Sequence, residues 1–271
     1  MYFVNFSNLY AFNQEYYSSK PISGSMKMMY SLLIATLLIT PSIEAQIHLF
    51  LEEQEINLKD ARSSAWVFPV ARELDEALGD LRDYTKDRSN VKMKKGGENL
   101  VIAEKVSIPA IVTKRGDLIG YGFITDTYYG IALVFQLGYD ISVNSIDWTV
   151  EMSNFRNYAK EFMSYHYEQS YTRRIESLEK EIKSLERQMN QNEGKIDNYS
   201  KKIAALNKRI AKETDNAKIE SNKREISTLE SDIQELTDAN PKLKSQIEML
   251  QANVSKFKDE SNSYQAAIGS I

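Results

Sequence analysis

The chain has 271 residues and a mass of 31.1 kDa, which is enough for one or two domains of about 100–200 residues each. Its 34 Lys and Arg against 38 Asp and Glu give a net charge of −4, and this balance argues against a dedicated nucleic-acid binder. The absence of cysteine excludes disulfides and thiolate metal sites, and two histidines are too few for a multi-histidine metal site. We therefore predict neither a metal nor a cofactor.

Residues 1–45 contain the three-part pattern of a secretory signal peptide. The positive Lys27 precedes an apolar run over residues 28–39, and the small Ala45 stands at a cleavage position. The run is shorter than the roughly 20 apolar residues that a membrane-spanning helix needs. We expect cleavage and export to the periplasm or outside the cell, with no transmembrane span in the mature chain. The alternative is an N-terminal anchor or a buried helix of the mature fold.

Residues 1–24 form a polar and aromatic leader that is unusual before a signal peptide. We therefore expect translation to start at Met26 or Met28. Beyond the cleavage position, residues 46–62 are interpreted as a linker.

Residues 63–171 predict a small α+β domain with the element order β-α-β-β-β-β-α. Between residues 73 and 88, Leu74, Leu78 and Leu81 fall on one stripe of an amphipathic helix. The predicted strands are short apolar or β-branched runs bounded by turn residues, and they cover residues 65–68, 91–95, 100–108, 117–125 and 130–137.

A second helix is predicted to begin near residues 145–147, and its aromatic face includes Phe155, Tyr158 and Phe162. Two helices on one face of an antiparallel four- to five-stranded sheet make a two-layer α+β fold. A cleft between sheet and helix would suit a small apolar or lipid-like ligand, but a filled core explains the same residues better.

Three features of this domain match functional motifs and have simpler structural explanations. Arg115-Gly116-Asp117 matches the tripeptide read by integrins, yet Gly and Asp are also what a hairpin turn requires. Lys92, Lys94 and Lys95 are typical of the solvated edge of a sheet. His166 has aromatic neighbours and is interpreted as a histidine at the edge of the core.

Residues 172–271 are predicted to form a long α-helical coiled coil. With Ile175 at position a, the a and d positions stay apolar through five heptads except at Asn192. A second register starts at Ile219 with mostly β-branched residues at a and Leu at d, a combination that favours two strands in parallel coils. The predicted apolar core consists of Ile175, Leu178, Ile182, Leu185, Ile196, Ile203, Leu206, Ile210, Ile226, Leu229, Ile233, Leu236, Leu243, Ile247 and Leu250.

The two registers are out of phase. The step from Ile210 to Ile219 corresponds to about 900° at 100° per residue, so the stripe moves to the opposite helix face. The poor helix formers within residues 213–217 predict a break. One solution is an antiparallel hairpin within the chain, and the other is a continuous rod in a dimer or larger bundle. The near-equal arms favour the hairpin, while the unbroken phase across Pro241 favours a kink there over a reversal.

Asn192, Asn222 and Asn240 occupy core positions of the heptads. Polar residues at such positions lower stability but select the register and the number of partners. The alternative is that they mark loosened, frayed segments. Their regular placement favours a role in specificity, with the partner being another protein or a second copy of the chain.

No nucleophile elbow, phosphate-binding Gly loop, zinc-binding His-Glu-x-x-His motif or pair of catalytic carboxylates is present, so we predict that the protein is not an enzyme. We expect an exported scaffold or adaptor of the bacterial cell envelope, with an α+β head for recognition and a coiled coil for spacing or oligomerisation. The alternatives are a small-ligand or lipid-binding module and a periplasmic holdase chaperone.

Overall fold

The computed structural model describes residues 49–58, 61–71, 73–138 and 141–271. The predicted signal peptide and the two candidate start residues lie outside the described residues.

The N-terminal part of the described chain is an antiparallel sheet of seven strands. The strands are β1 (Glu52–Leu58), β2 (Ala61–Pro69), β3 (Lys94–Gly97), β4 (Leu100–Ile108), β5 (Val112–Ile124), β6 (Tyr129–Gly138) and β7 (Ile141–Ser142). Their order across the sheet is β1-β2-β6-β5-β4-β3, and β7 pairs with β6. The β1–β2 hairpin therefore joins the edge of a β3-to-β6 meander, with β2 antiparallel to β6.

Three helices complete the described chain: α1 (Leu74–Ser89), α2 (Thr149–Ile210) and α3 (Asn216–Ser270). Helix α1 connects β2 to β3, and its last turn is closed by Asn90 in the left-handed conformation at φ 54°. Helix α2 has 62 residues and leads directly from the sheet into the C-terminal part. The architecture is α+β with a long C-terminal helical region, as the sequence predicts.

The main core lies between the sheet, α1 and the first third of α2. One face of the sheet supplies Phe68, Leu118 and Leu133, each with an exposed fraction of 0%. They join Leu81 from α1 and Phe162 from α2 in a single apolar cluster. Burial of these large side chains, at about 25 cal/mol per Å² of apolar surface, is the main source of stability for the head, which we define as residues 49–171.

The structure corrects three details of the expected layout. Residues 52–58, within the range interpreted as a linker, form the edge strand β1, so the sheet has seven strands instead of four or five. Residues 91–93 are not in a strand, and β3 begins at Lys94. The expected domain boundary near residue 171 falls inside α2, which continues without interruption.

Arg115-Gly116-Asp117 is not a turn, contrary to expectation, but part of strand β5. A Cβ atom on Gly116 would lie 2.3 Å from the Gln136 carbonyl oxygen, so glycine allows β5 and β6 to approach closely. Asp117 Oδ1 accepts a hydrogen bond of 2.7 Å from the backbone N–H of Lys105, which has a φ of 52° beside an irregularity of β4. The glycine therefore permits the close contact of β5 with β6, and the aspartate holds the irregular part of β4.

Helices α2 and α3 run antiparallel and pack along their lengths. Residues later in α2 contact residues earlier in α3. Near the head Ser164 contacts Gln265, and near the connecting turn Lys202 contacts Glu225. Helix α2 ends at Ile210, and Asp215 caps α3 by accepting a hydrogen bond from Ala217 N–H at 2.9 Å. The predicted break within residues 213–217 is thus a reversal, and the described chain forms the hairpin alternative.

Helix α3 continues through Pro241 without a reversal. None of the helices in the described ranges combines the length and the apolar character needed to cross a membrane.

Candidate functional site

The helical hairpin, defined here as residues 172–270, is the most distinctive surface of the molecule. Tyr171 is the last α2 residue in the core cluster of the head. From there to Ile210 the hairpin extends roughly 60 Å at 1.5 Å per residue. It therefore presents its connecting turn far from the sheet.

The seam between α2 and α3 contains the residues that the heptads indicate. Over residues 175–210 of α2, the positions that are not exposed are the predicted a and d positions. The buried members of the predicted core are Ile182, Leu206, Leu229, Leu243, Ile247 and Leu250. The half-buried members are Ile175, Leu178, Leu185, Ile196, Ile203, Ile210, Ile226, Ile233 and Leu236. Two helices alone cover this seam incompletely, most of all toward the turn.

The three polar core positions have different surroundings. Asn192 is buried and its Nδ2 donates a hydrogen bond of 3.0 Å to Oδ1 of the half-buried Asn240. Asn222 is half-buried and lies beside the turn at the far end of the hairpin. The structure therefore brings two of the three predicted asparagines together as a pair.

The C-terminal end of α3 is anchored on the head. Ile268 is 2% exposed and belongs to the main core cluster. Tyr264 stacks on Tyr167 with ring centroids 5.0 Å apart, and Gln265 Nε2 donates to the Ser164 carbonyl oxygen at 2.8 Å. Lys160 Nζ also donates to the carbonyl oxygen of Gly269 at 2.8 Å. The returning helix is consequently fixed to the first part of α2, the same stretch of helix that supplies core residues to the head.

A buried polar network connects α1 to α2 near the base of the hairpin. Arg173 donates to both carboxylate oxygens of Asp80, at 2.8 and 2.7 Å, and His166 Nδ1 lies 2.7 Å from Asp80 Oδ2. The Ala71 N–H donates to His166 Nε2 at 3.1 Å, so Nε2 carries no proton and Nδ1–H is the donor to Asp80. Both ring nitrogens of this fully buried histidine are used in holding structure together.

The electrostatics of the network favour an ionised carboxylate. Burial raises the pKa of the Asp80 carboxyl, but hydrogen bonds from His166 and Arg173 outweigh this effect and hold the pKa below its ordinary value. The sequence predicted His166 at the edge of the core, whereas its side chain is fully buried, and it did not predict this network. One sequence feature pointed to the network: the acidic residue Asp80 lies beside the apolar stripe of the predicted helix, where a charged side chain needs a partner.

The aromatic face of α2 lies in the core. Phe155, Tyr158 and Phe162 are 0–2% exposed, and Phe162 packs edge-on against Phe68 with ring centroids 5.8 Å apart. Tyr158 Oη donates to Thr85 Oγ1 at 3.1 Å. These three side chains have the environment of core residues.

The hairpin tip, defined as residues 201–224, is strongly basic. It carries eight Lys or Arg against three Asp or Glu, in a chain whose net charge is −4. Next to the turn, Lys208, Arg209, Lys212 and Lys218 line an open cavity of about 510 Å³ together with Glu213, Ser221 and Asn222. Among the described residues no group of three or more His, Cys, Asp or Glu side chains is arranged to hold a metal ion.

The chain matches no protein-family model, and no curated protein or solved structure is significantly similar to it. Function must therefore be inferred from the chain's own residues.

Proposed function

We propose that this protein is a non-enzymatic scaffold or adaptor exported to the bacterial cell envelope. The head would recognise one partner, and the helical hairpin would hold a second partner at a distance. The observation that carries the proposal is the continuity of α2, which is one helix from the core of the head to the turn of the hairpin.

The contacts at the base of the hairpin support a spacer of fixed direction. Asp80, His166 and Arg173 tie α2 to α1, and Ile268 places the end of α3 in the core of the head. A flexible linker would allow the hairpin to swing, whereas two anchored helices resist bending at the junction. Such an arrangement suits a component that sets a separation of roughly 60 Å between two partners.

The hairpin also offers a surface for self-association. Ile196, Ile203, Ile226 and Ile233 are only half-buried in the seam, and a second hairpin packed alongside would remove more of their surface from water. A partner protein with a complementary helix would have the same effect. Both forms are consistent with a scaffold.

The export part of the proposal depends on the sequence pattern of residues 20–45. The alternative function as a ligand-binding module has less support, because Phe155, Tyr158 and Phe162 fill the core. A holdase chaperone would need a client-binding apolar surface, and the seam between α2 and α3 is instead used for packing within the chain.

Site-specific photocrosslinking in the bacterium that encodes the protein tests this function. A photoreactive residue replaces Ser221 at the hairpin tip, Ile124 on the head, or Lys183 on the outer face of α2 as the control; all three are exposed. We expect different crosslinked species from the tip and from the head, in the envelope fraction. The absence of crosslinks from both the tip and the head would contradict the proposal, and so would recovery of the protein in the cytoplasm.

A further inference from the structure

The hairpin tip has an excess of positive charge that its own ion pairs do not neutralise. Lys202 pairs with Glu225 at 2.7 Å and Lys223 with Glu220 at 2.9 Å. Lys208, Arg209 and Lys212 are exposed and make no ion pair with any described residue. Three uncompensated cations thus lie within five consecutive positions at the end of a long arm.

These cations surround a cavity whose shape is fixed by the turn. Glu213 Oε1 accepts hydrogen bonds of 3.1 Å from the backbone N–H groups of both Thr214 and Asp215. The one carboxylate that lines the cavity is therefore used in closing the turn. It is also 3.9 Å from Lys218 Nζ. The lining retains a net positive charge, with hydroxyl and amide groups from Ser221 and Asn222 beside it.

The chemistry of the tip fits a layer of phosphate groups better than a folded protein or a nucleic acid. The large apolar side chains exposed in the described chain include none from residues 201–224, so the tip lacks the apolar centre of a protein interface. The same residues contain no aromatic side chain on which a base could stack. An exposed turn that carries four basic side chains around a shallow opening suits an anionic surface, where each basic residue adds to the attraction.

We propose that the hairpin tip docks onto an anionic phospholipid surface, with phosphate head groups bound by Lys208, Arg209, Lys212 and Lys218. The inference deepens the proposed function, because it names the partner at the far end of the spacer. The head would then be held roughly 60 Å from the bilayer.

Vesicle co-sedimentation of the full chain tests the inference. The probes are vesicles containing 30% phosphatidylglycerol, vesicles of pure phosphatidylcholine and, in a separate binding assay, duplex DNA. The tip variant combines Lys208→Gln, Arg209→Gln, Lys212→Gln and Lys218→Gln. The matched control combines Lys180→Gln, Lys183→Gln, Lys242→Gln and Lys244→Gln, which removes the same charge from exposed positions nearer the head. Circular dichroism melting verifies that both variants keep the fold.

We expect the wild type and the control to bind the anionic vesicles at least about tenfold more tightly than the neutral ones, with the difference lost at high salt. The tip variant should lose that preference. Equal losses in the two variants, no preference in the wild type, or tighter binding to duplex DNA than to the anionic vesicles would overturn the inference. Those results would leave the crosslinks from Ser221 unaffected, because a spacer does not require a lipid partner.

Discussion

Asn192 and Asn240 form a hydrogen bond across the seam of the hairpin, with 3.0 Å between Asn192 Nδ2 and Asn240 Oδ1. The two residues come from opposite helices, and the adjacent seam positions are apolar. The pair satisfies one donor and one acceptor that the seam would otherwise leave without a partner. It also distinguishes the native alignment of α2 and α3 from an alignment shifted along the helices.

Replacing one member of this pair should cost more than replacing both. Asn192→Leu leaves the amide of Asn240 without its partner, and we expect a loss of about 1 kcal/mol in the free energy of unfolding. The double variant Asn192→Leu with Asn240→Leu should be at least as stable as the wild type, but with additional association states. Denaturant unfolding and light scattering measure the two effects. A double variant with the same association state as the wild type would show that the pair has no role in register, and one less stable than both single variants would contradict the expected stability.

The Asp80 network should make the free energy of unfolding decrease at low pH. Because the pKa of Asp80 is lowered in the folded chain, its contribution is present above the ordinary pKa of an aspartate, about 4, and is lost as the pH falls through the lowered value. We expect Asp80→Asn to cost on the order of 2–3 kcal/mol at neutral pH and to weaken the decline of stability below about pH 4.

Denaturant unfolding between about pH 7 and pH 2.5 measures this dependence. Asp83→Asn is the control, because it removes an exposed carboxylate from the same helix. An unchanged acid dependence in Asp80→Asn would mean that other groups dominate the acid response of the chain.

The hydroxyl of Tyr167 should be dispensable. The residue is 1% exposed, and its Oη has no hydrogen-bond partner in the described chain. Tyr167→Phe keeps the stacking on Tyr264 and removes a buried polar atom, so we expect a gain of up to about 1 kcal/mol. Tyr158→Phe is the matched comparison, since it loses the bond to Thr85 and should cost about 1 kcal/mol. Thermal unfolding measures the stability of both variants. A marked loss of stability in Tyr167→Phe would contradict the prediction, because it would mean that the hydroxyl makes a stabilising interaction.

Substitution by alanine should lower stability at Gly116 and raise it at Gly194. Gly116→Ala places a Cβ 2.3 Å from the backbone oxygen of Gln136, and we expect a loss of about 1–3 kcal/mol because the strands must separate. Gly194→Ala meets nothing within 4 Å in α2, and better helix propensity should add up to about 1 kcal/mol. The difference in melting temperature tests the pair, and a neutral Gly116→Ala would refute the close-approach explanation.

Elements with strong periodicity could be predicted from the sequence. Helix α1 was expected at residues 73–88 and is Leu74–Ser89, because its leucines repeat with the helical period. Strand β4 was expected at residues 100–108 and has those bounds, because turn residues flank it. The out-of-phase heptads and the poor helix formers within residues 213–217 located the turn between α2 and α3, but they left a continuous rod open as the alternative to the hairpin.

Features that depend on distant contacts could not be predicted. Strand β1 is acidic and its residues are exposed or half-buried, so no apolar alternation marks it. The network of Asp80, His166 and Arg173 joins positions more than 80 residues apart, and local patterns carry no information on such meetings. Gly116 has the sequence signature of a turn, but the neighbouring strand determines its role.

The length and anchoring of α2 make the hairpin a lever arm. Helix α2 passes from the core of the head to the turn as one rigid element, and α3 returns to the same core. For an arm of roughly 60 Å, each degree of tilt at the base displaces the turn by about 1 Å. A repacking around His166 or Ile268 that tilts the hairpin by a few degrees would therefore move the turn by several ångströms. The protein thus has the geometry to convert a change at the head into a displacement at the tip.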